Sequence, residues 1–95
     1  MLTAEEERGF AELLKRIGSN LRRYRISCKE TQSVMSERIG INVKHYQRLE
    51  YGDFAISTRN LYRIASRVGI PVEKLVRPHY PTLSTLQNRT YKRHP

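Results

Sequence analysis

The feature that most constrains this chain is the punctuation between residues 31 and 52. Thr31 is followed by Met35 and Ile39 at helical spacing, and Gly40 stops that run. Asn42 opens another, with Tyr46 and Leu49 on one face, and Gly52 stops it. A threonine or asparagine side chain satisfies the free amides of a helix start, and a glycine just past the last turn takes the left-handed conformation that ends one. The spacing predicts two short helices, over residues 31–39 and 42–50, joined by a turn that begins with Gly40 and runs to the cap Asn42, three residues in all.

The rest of the chain reads in the same period. Thr3-Ala4-Glu5-Glu6 is a capping box, and its glutamates suit the positive end of a helix dipole. Phe10, Leu13, Leu14, Ile17, Leu21, Tyr24 and Cys28 then recur at three- and four-residue steps, the pattern of an amphipathic helix. Gly9 and Gly18 weaken it and leave room for a break or bend between residues 3 and 18. Ser57 or Thr58 opens a fourth helix with Leu61, Ile64, Ala65 and Val68 inside and Gly69 at its end. Ile70-Pro71 forbids continuation, and Val72, Leu75 and Val76 suggest a short fifth helix. No segment alternates with period two for long enough to make a strand, and there is no internal repeat. The expected fold class is all-α, a compact bundle of four to five helices.

Charge bears on partners rather than on fold. The 95 residues carry 18 Lys and Arg against 9 Asp and Glu, a net charge of +9 that favours a polyanion. Residues 1–14 are net acidic through Glu5, Glu6, Glu7 and Glu12, whereas residues 15–77 hold 14 basic and 5 acidic side chains. Beyond Arg77, RPHYPTLSTLQNRTYKRHP has three prolines, no sustained periodicity and no acid, and reads as a flexible basic tail. The expected organisation is a helical extension over 1–16, a domain over 17–77 and the tail over 78–95.

Cys28 is alone, which excludes an intrachain disulfide and suits a reducing compartment. Its place on the apolar series predicts a small buried hydrophobe. No apolar run approaches membrane-spanning length, and MLTAEEE is acidic where a secretory leader is basic, so the expected location is cytoplasmic with no membrane partner. His45, His79, His94 and Cys28 fall into no acid–base, metal-ligand or phosphate-loop spacing, so neither catalysis nor a cofactor or metal is expected.

On a helical wheel, Tyr46 and Leu49 lie about 60° apart and define an inner stripe. Lys44, Gln47 and Arg48 project almost opposite, with Val43 and His45 at the edges. Two short helices with such a turn match a helix-turn-helix, whose second helix enters the DNA major groove. Long donors on its outer face can reach base edges there.

Residues 17–76, about two-thirds of the chain, resemble a Cro/repressor-type helix-turn-helix domain of the xenobiotic-response-element class. The resemblance is carried by several linked pieces: Leu21 and Arg25 on the first helix, Thr31-Gln32 opening the second and Ile39-Gly40-Ile41 at the turn. Leu49-Glu50-x-Gly52 and Leu61…Ile64-Ala65…Val68-Gly69-Ile70 complete it. It implies a phage-repressor type of bundle and a sequence-specific transcriptional regulator that binds double-stranded operator DNA as a homodimer. Gln32 matches a glutamine that touches the DNA backbone and supports the recognition helix, while Asn42, Val43, Lys44, Gln47 and Arg48 match its DNA-facing positions. Lys44 and Arg48 suit guanine, Val43 a thymine methyl, and capping alone accounts for Asn42. Tyr51 and Gly52 match a loop whose amides meet phosphate. Arg25 and Glu50 match a charged pair tying the first helix to the third.

The sequence departs from the family pattern at four places. Asp53 stands where a basic residue is common and opposes a phosphate there; Ser36 replaces an alanine, Tyr46 a branched aliphatic, and Ile56 a frequent proline. The alternative function is an antitoxin or co-regulator that binds a protein partner. Phe10, Leu13 and Leu14, on the N-terminal helix, would either fold back onto the domain or pair with a second chain.

Overall fold

Helix α1 runs without interruption from Ala4 to Ser27 in the computed structural model, which describes residues 1–78. The break or bend between residues 3 and 18 for which Gly9 and Gly18 left room is absent; the capping box secures the start and Gly18 is pressed into a helix crossing. Thr3 Oγ1 accepts from the Glu6 amide at 3.1 Å while Glu6 Oε1 accepts from the Thr3 amide at 2.9 Å. Four shorter helices follow: α2 (Gln32–Ile39), α3 (Val43–Tyr51), α4 (Thr58–Val68) and α5 (Val72–Val76). Among the described residues every regular element is helical, so the fold is an all-α, phage-repressor type of bundle. The expected basic tail, apart from Pro78, lies outside the described residues.

The elements begin and end where the local chemistry dictates. Thr31, Asn42 and Ser57 each accept a backbone N–H at the start of α2, α3 and α4. Gly40 ends α2 at φ 83°, a left-handed conformation that a side chain resists, and Ile41 N–H reaches back to the Ser36 carbonyl at 3.0 Å. The turn to α3 is tightened from outside, since Arg67 Nη1 donates to the Ile39 carbonyl at 3.0 Å.

Each helix contributes to one core. Ile17 and Leu21 from α1 meet Met35 and Ile39 from α2, Tyr46 and Leu49 from α3, Ile64, Ala65 and Val68 from α4, and Leu75 from α5. A large apolar side chain buried this completely stabilises the fold by roughly 1.5–3 kcal/mol. Helix α1 packs on α3 and α5, α2 on α3 and α4, and α4 on α5. The α1–α3 crossing is close because residue 18 is glycine: a methyl group there would collide with the Leu49 and Glu50 carbonyls. Polar side chains of α1 also cap its neighbours. Asn20 Nδ2 donates to the Leu75 and Arg77 carbonyls at 2.7 and 2.9 Å, and Tyr24 Oη to the Val68 carbonyl at 3.1 Å.

The apolar series of α1 is buried only in its middle. Ile17 and Leu21 are fully covered, Leu13 and Tyr24 are partly so, and Phe10 is 39% exposed. Cys28 is exposed, contrary to its expected burial. It caps the C-terminus of α1, and Lys29, at φ 56°, turns the chain away just where the stripe would have continued.

Candidate nucleic-acid interface

Helix α3 is fixed from beneath by one carboxylate. Glu50 is buried, with its side chain only 3% exposed, and its two oxygens receive four hydrogen bonds from three residues. Arg25, from α1, donates through Nε to Oε2 at 2.6 Å and through Nη2 to Oε1 at 3.1 Å. Gln32 Nε2 donates to Oε1 at 3.0 Å, and the Tyr46 hydroxyl donates to Oε2. A carboxylate out of water is tolerated when its lone pairs are filled in this way. Burial pushes the Glu50 pKa up, and the bonds from Arg25, Tyr46 and Gln32 more than reverse it, leaving it below its ordinary 4.5. Burial, then the Glu50 carboxylate, holds the Tyr46 phenol protonated far above its ordinary 10.0.

This arrangement explains a departure in the sequence. A tyrosine in the core needs a partner for its hydroxyl. Residue 50, one turn further along α3, supplies it, so Tyr46 both fills the core and orients Glu50. Ser36 is satisfied similarly, its hydroxyl donating to the Ser33 carbonyl at 2.8 Å. Ile56, partly buried, packs against the core.

The outer side of α3 is open. Lys44, Gln47, Arg48 and Tyr51, spaced at three- and four-residue steps, line one concavity, and all four are exposed. Asn42 is the N-cap of α3, its Oδ1 accepting from the Lys44 amide at 2.7 Å, and Val43 is half-buried in the first turn. Gln32 joins the inner and outer sides, since its Oε1 accepts from Gln47 Nε2 at 3.3 Å. The structure thus brings Gln32, Gln47, Glu50 and Arg25 into one connected set. Tyr51 closes α3 rather than standing in the loop after it, and the residue is 78% exposed.

The structure adds two relationships that the sequence reading did not contain. Arg22 lines a second concavity with Gln32, Gln47, Glu50 and Tyr51, adding an α1 cation beside the polar edge of α3. Its spacing of three from Arg25 was the available signal, because side chains three apart share a helix side. The other is the partner of Asp53: its carboxylate, read from the sequence only as opposing a phosphate, folds back onto Arg48, with Oδ1 accepting from Nε at 3.1 Å.

With this geometry in place, a family model described as Helix-turn-helix (HTH_3) matches residues 21–75. The chain belongs to this helix-turn-helix family. No curated protein and no solved structure matches it. The helix-turn-helix match covers α2 and α3 whole and reaches from the Leu21 turn of α1 into α5. It is a family of DNA-binding regulators of the Cro/C1 type. Among the described residues, no helix is long and apolar enough to cross a membrane, and no cluster of His, Cys, Asp and Glu could hold a metal ion.

Proposed function

We propose that this chain is a cytoplasmic transcriptional regulator that binds operator DNA sequence-specifically, with α3 in the major groove. The observation that carries the reading is the two-sidedness of α3. Its inner side is locked by Arg25, Glu50 and Gln32, and its outer side presents Lys44, Gln47 and Arg48 to solvent. A helix fits the major groove, and donors held on a rigid element discriminate between base edges there. In this reading Lys44, Gln47 and Arg48 read bases and Val43 touches a thymine methyl. Gln32, Arg22 and Tyr51 meet the sugar-phosphate backbone, and Asn42 acts through its cap.

The regulator would act as a homodimer, because two recognition helices set about 34 Å apart read successive grooves of a palindromic site. Selection of bound sequences from random duplex DNA at physiological salt tests both statements. A palindrome with half-sites one helical turn apart supports them; salt-sensitive, sequence-blind recovery overturns the operator reading.

A second reading is favoured by the N-terminal turns of α1. Phe10 there, and Leu2 just before the helix, are exposed around Glu5, Glu6 and Glu7, while the body of the chain is basic. In an antitoxin or co-regulator this segment would hold a protein partner. Co-purification of a second polypeptide with the intact chain, lost on Phe10→Glu, distinguishes that case.

A further inference from the structure

Arg48, the α3 side chain with a planar donor fork, is engaged within the chain before any ligand arrives. Its Nε donates to Asp53 Oδ1 at 3.1 Å and its Nη2 to the Asp53 carbonyl at 3.1 Å. The backbone closes the same pair, as Asp53 N–H donates to the Arg48 carbonyl at 3.2 Å. The guanidinium carbon lies 5.8 Å from the centroid of the Phe54 ring, and Phe54 stacks on His45 at 5.5 Å with an interplanar angle of 11°. A long, exposed side chain is therefore restrained by a carboxylate, a carbonyl and an aromatic ring.

Donor counting shows what that restraint leaves. A guanidinium carries five N–H bonds. Asp53 takes Nε–H and one hydrogen of Nη2, which form the side edge of the fork. Among the described residues both Nη1 hydrogens and the second Nη2 hydrogen remain, and they include the end edge whose parallel donors match guanine O6 and N7. Arg48 itself lines a concavity with Lys44, Gln47 and Tyr51.

We propose that Asp53 is a specificity-determining positioning residue: it holds Arg48 by its side edge so that the end edge is presented to a guanine. The inference rests on α3 being the base-reading helix. It also gives the unexpected acid a role beyond repelling phosphate, since orientation of one donor improves discrimination while the added negative charge weakens binding to DNA in general. The pair is 57% and 52% exposed, so it adds little to folding and its replacement leaves the fold in place.

The test uses the full-length protein, a selected duplex, its single-base variants and a random duplex, with Arg48→Ala locating the base pair that Arg48 reads. Asp53→Ala is expected to reduce discrimination at that base pair by about three- to tenfold, a part of what a bidentate arginine–guanine contact supplies. Binding of the same variant to random duplex should hold or tighten. Asp53→Asn, whose side-chain oxygen still accepts from Nε, should keep most of the preference. Unchanged or sharper discrimination in Asp53→Ala overturns the proposal, because Asp53 would then be a bystander or a competitor for Arg48. Absence of any Arg48-dependent base pair in the unaltered protein instead overturns the base-reading role of α3, and the inference with it.

Discussion

Arg25 and Glu50, 25 positions apart in sequence, form a two-point ion pair that joins α1 to α3. The pair is the centre of a network. Arg25 Nη1 also donates to the Glu30 carbonyl at 2.9 Å, so one guanidinium ties together the end of α1, the approach to α2 and the last turn of α3. Gln32 extends the network to the outer side of α3, bonded both to Glu50 and to Gln47.

Removing one partner of this pair leaves the other charged and desolvated without its counter-charge. Arg25→Ala is expected to destabilise the fold by about 3–5 kcal/mol, the range for breaking a buried pair. Urea denaturation followed by helical circular dichroism measures it. A loss under about 1 kcal/mol would place Arg25 among ordinary surface charges.

The same network predicts how stability responds to pH. Glu50 is held below its ordinary 4.5, so in acid the unfolded chain takes up its proton first. The stabilisation is present above about pH 4.5 and is lost as pH falls below that value. Tyr46 has the opposite sign. Its pKa is raised above 10.0, so the unfolded chain ionises first and stability falls as pH climbs past 10. Denaturation midpoints across pH 3–11 should show both slopes. Tyr46→Phe should flatten the alkaline one, and Glu50→Gln the acid one.

Gly18 and Gly9 make a paired test on one helix. Gly18→Ala drives a methyl group into the carbonyls of α3 and should cost about 1–3 kcal/mol or more. At Gly9 nothing lies near the added group, so Gly9→Ala should stabilise by roughly 0.5–1 kcal/mol through helix propensity. Equal effects at the two sites would contradict the close α1–α3 crossing.

On DNA, contacts to bases and to phosphates separate by experiment. Arg48→Ala or Lys44→Ala should weaken binding to the selected site by about 1–3 kcal/mol and relax preference at one base pair. Arg22→Ala should weaken binding to all duplexes alike and lower the salt slope by about one. Trimming Arg89, Lys92 and Arg93 should likewise flatten the salt dependence without changing preference. A base-specific loss in Arg22→Ala would move that residue from the backbone to a groove.

The sequence by itself determined the elements of this protein. The caps at Thr3, Thr31, Asn42 and Ser57 and the stops at Gly40, Gly52 and Gly69 are local chemistry, readable because a helix end is decided within one turn of chain. The apolar period separated the inner from the outer side of α3 for the same reason. The pairing of Arg25 with Glu50 was legible only through resemblance to a family pattern, since the two residues are far apart in the chain. What only the tertiary structure decided is which elements touch. Gly18 read as a weak point in α1 until α3 lay against it, and Cys28 read as core until the chain turned away at Lys29. Tyr46 read as an oddity until its hydroxyl met Glu50, and Asp53 as a repulsive charge until it met Arg48. Burial, close approach and the matching of donors to acceptors depend on neighbours brought together by folding, and periodicity along a single helix carries no record of them.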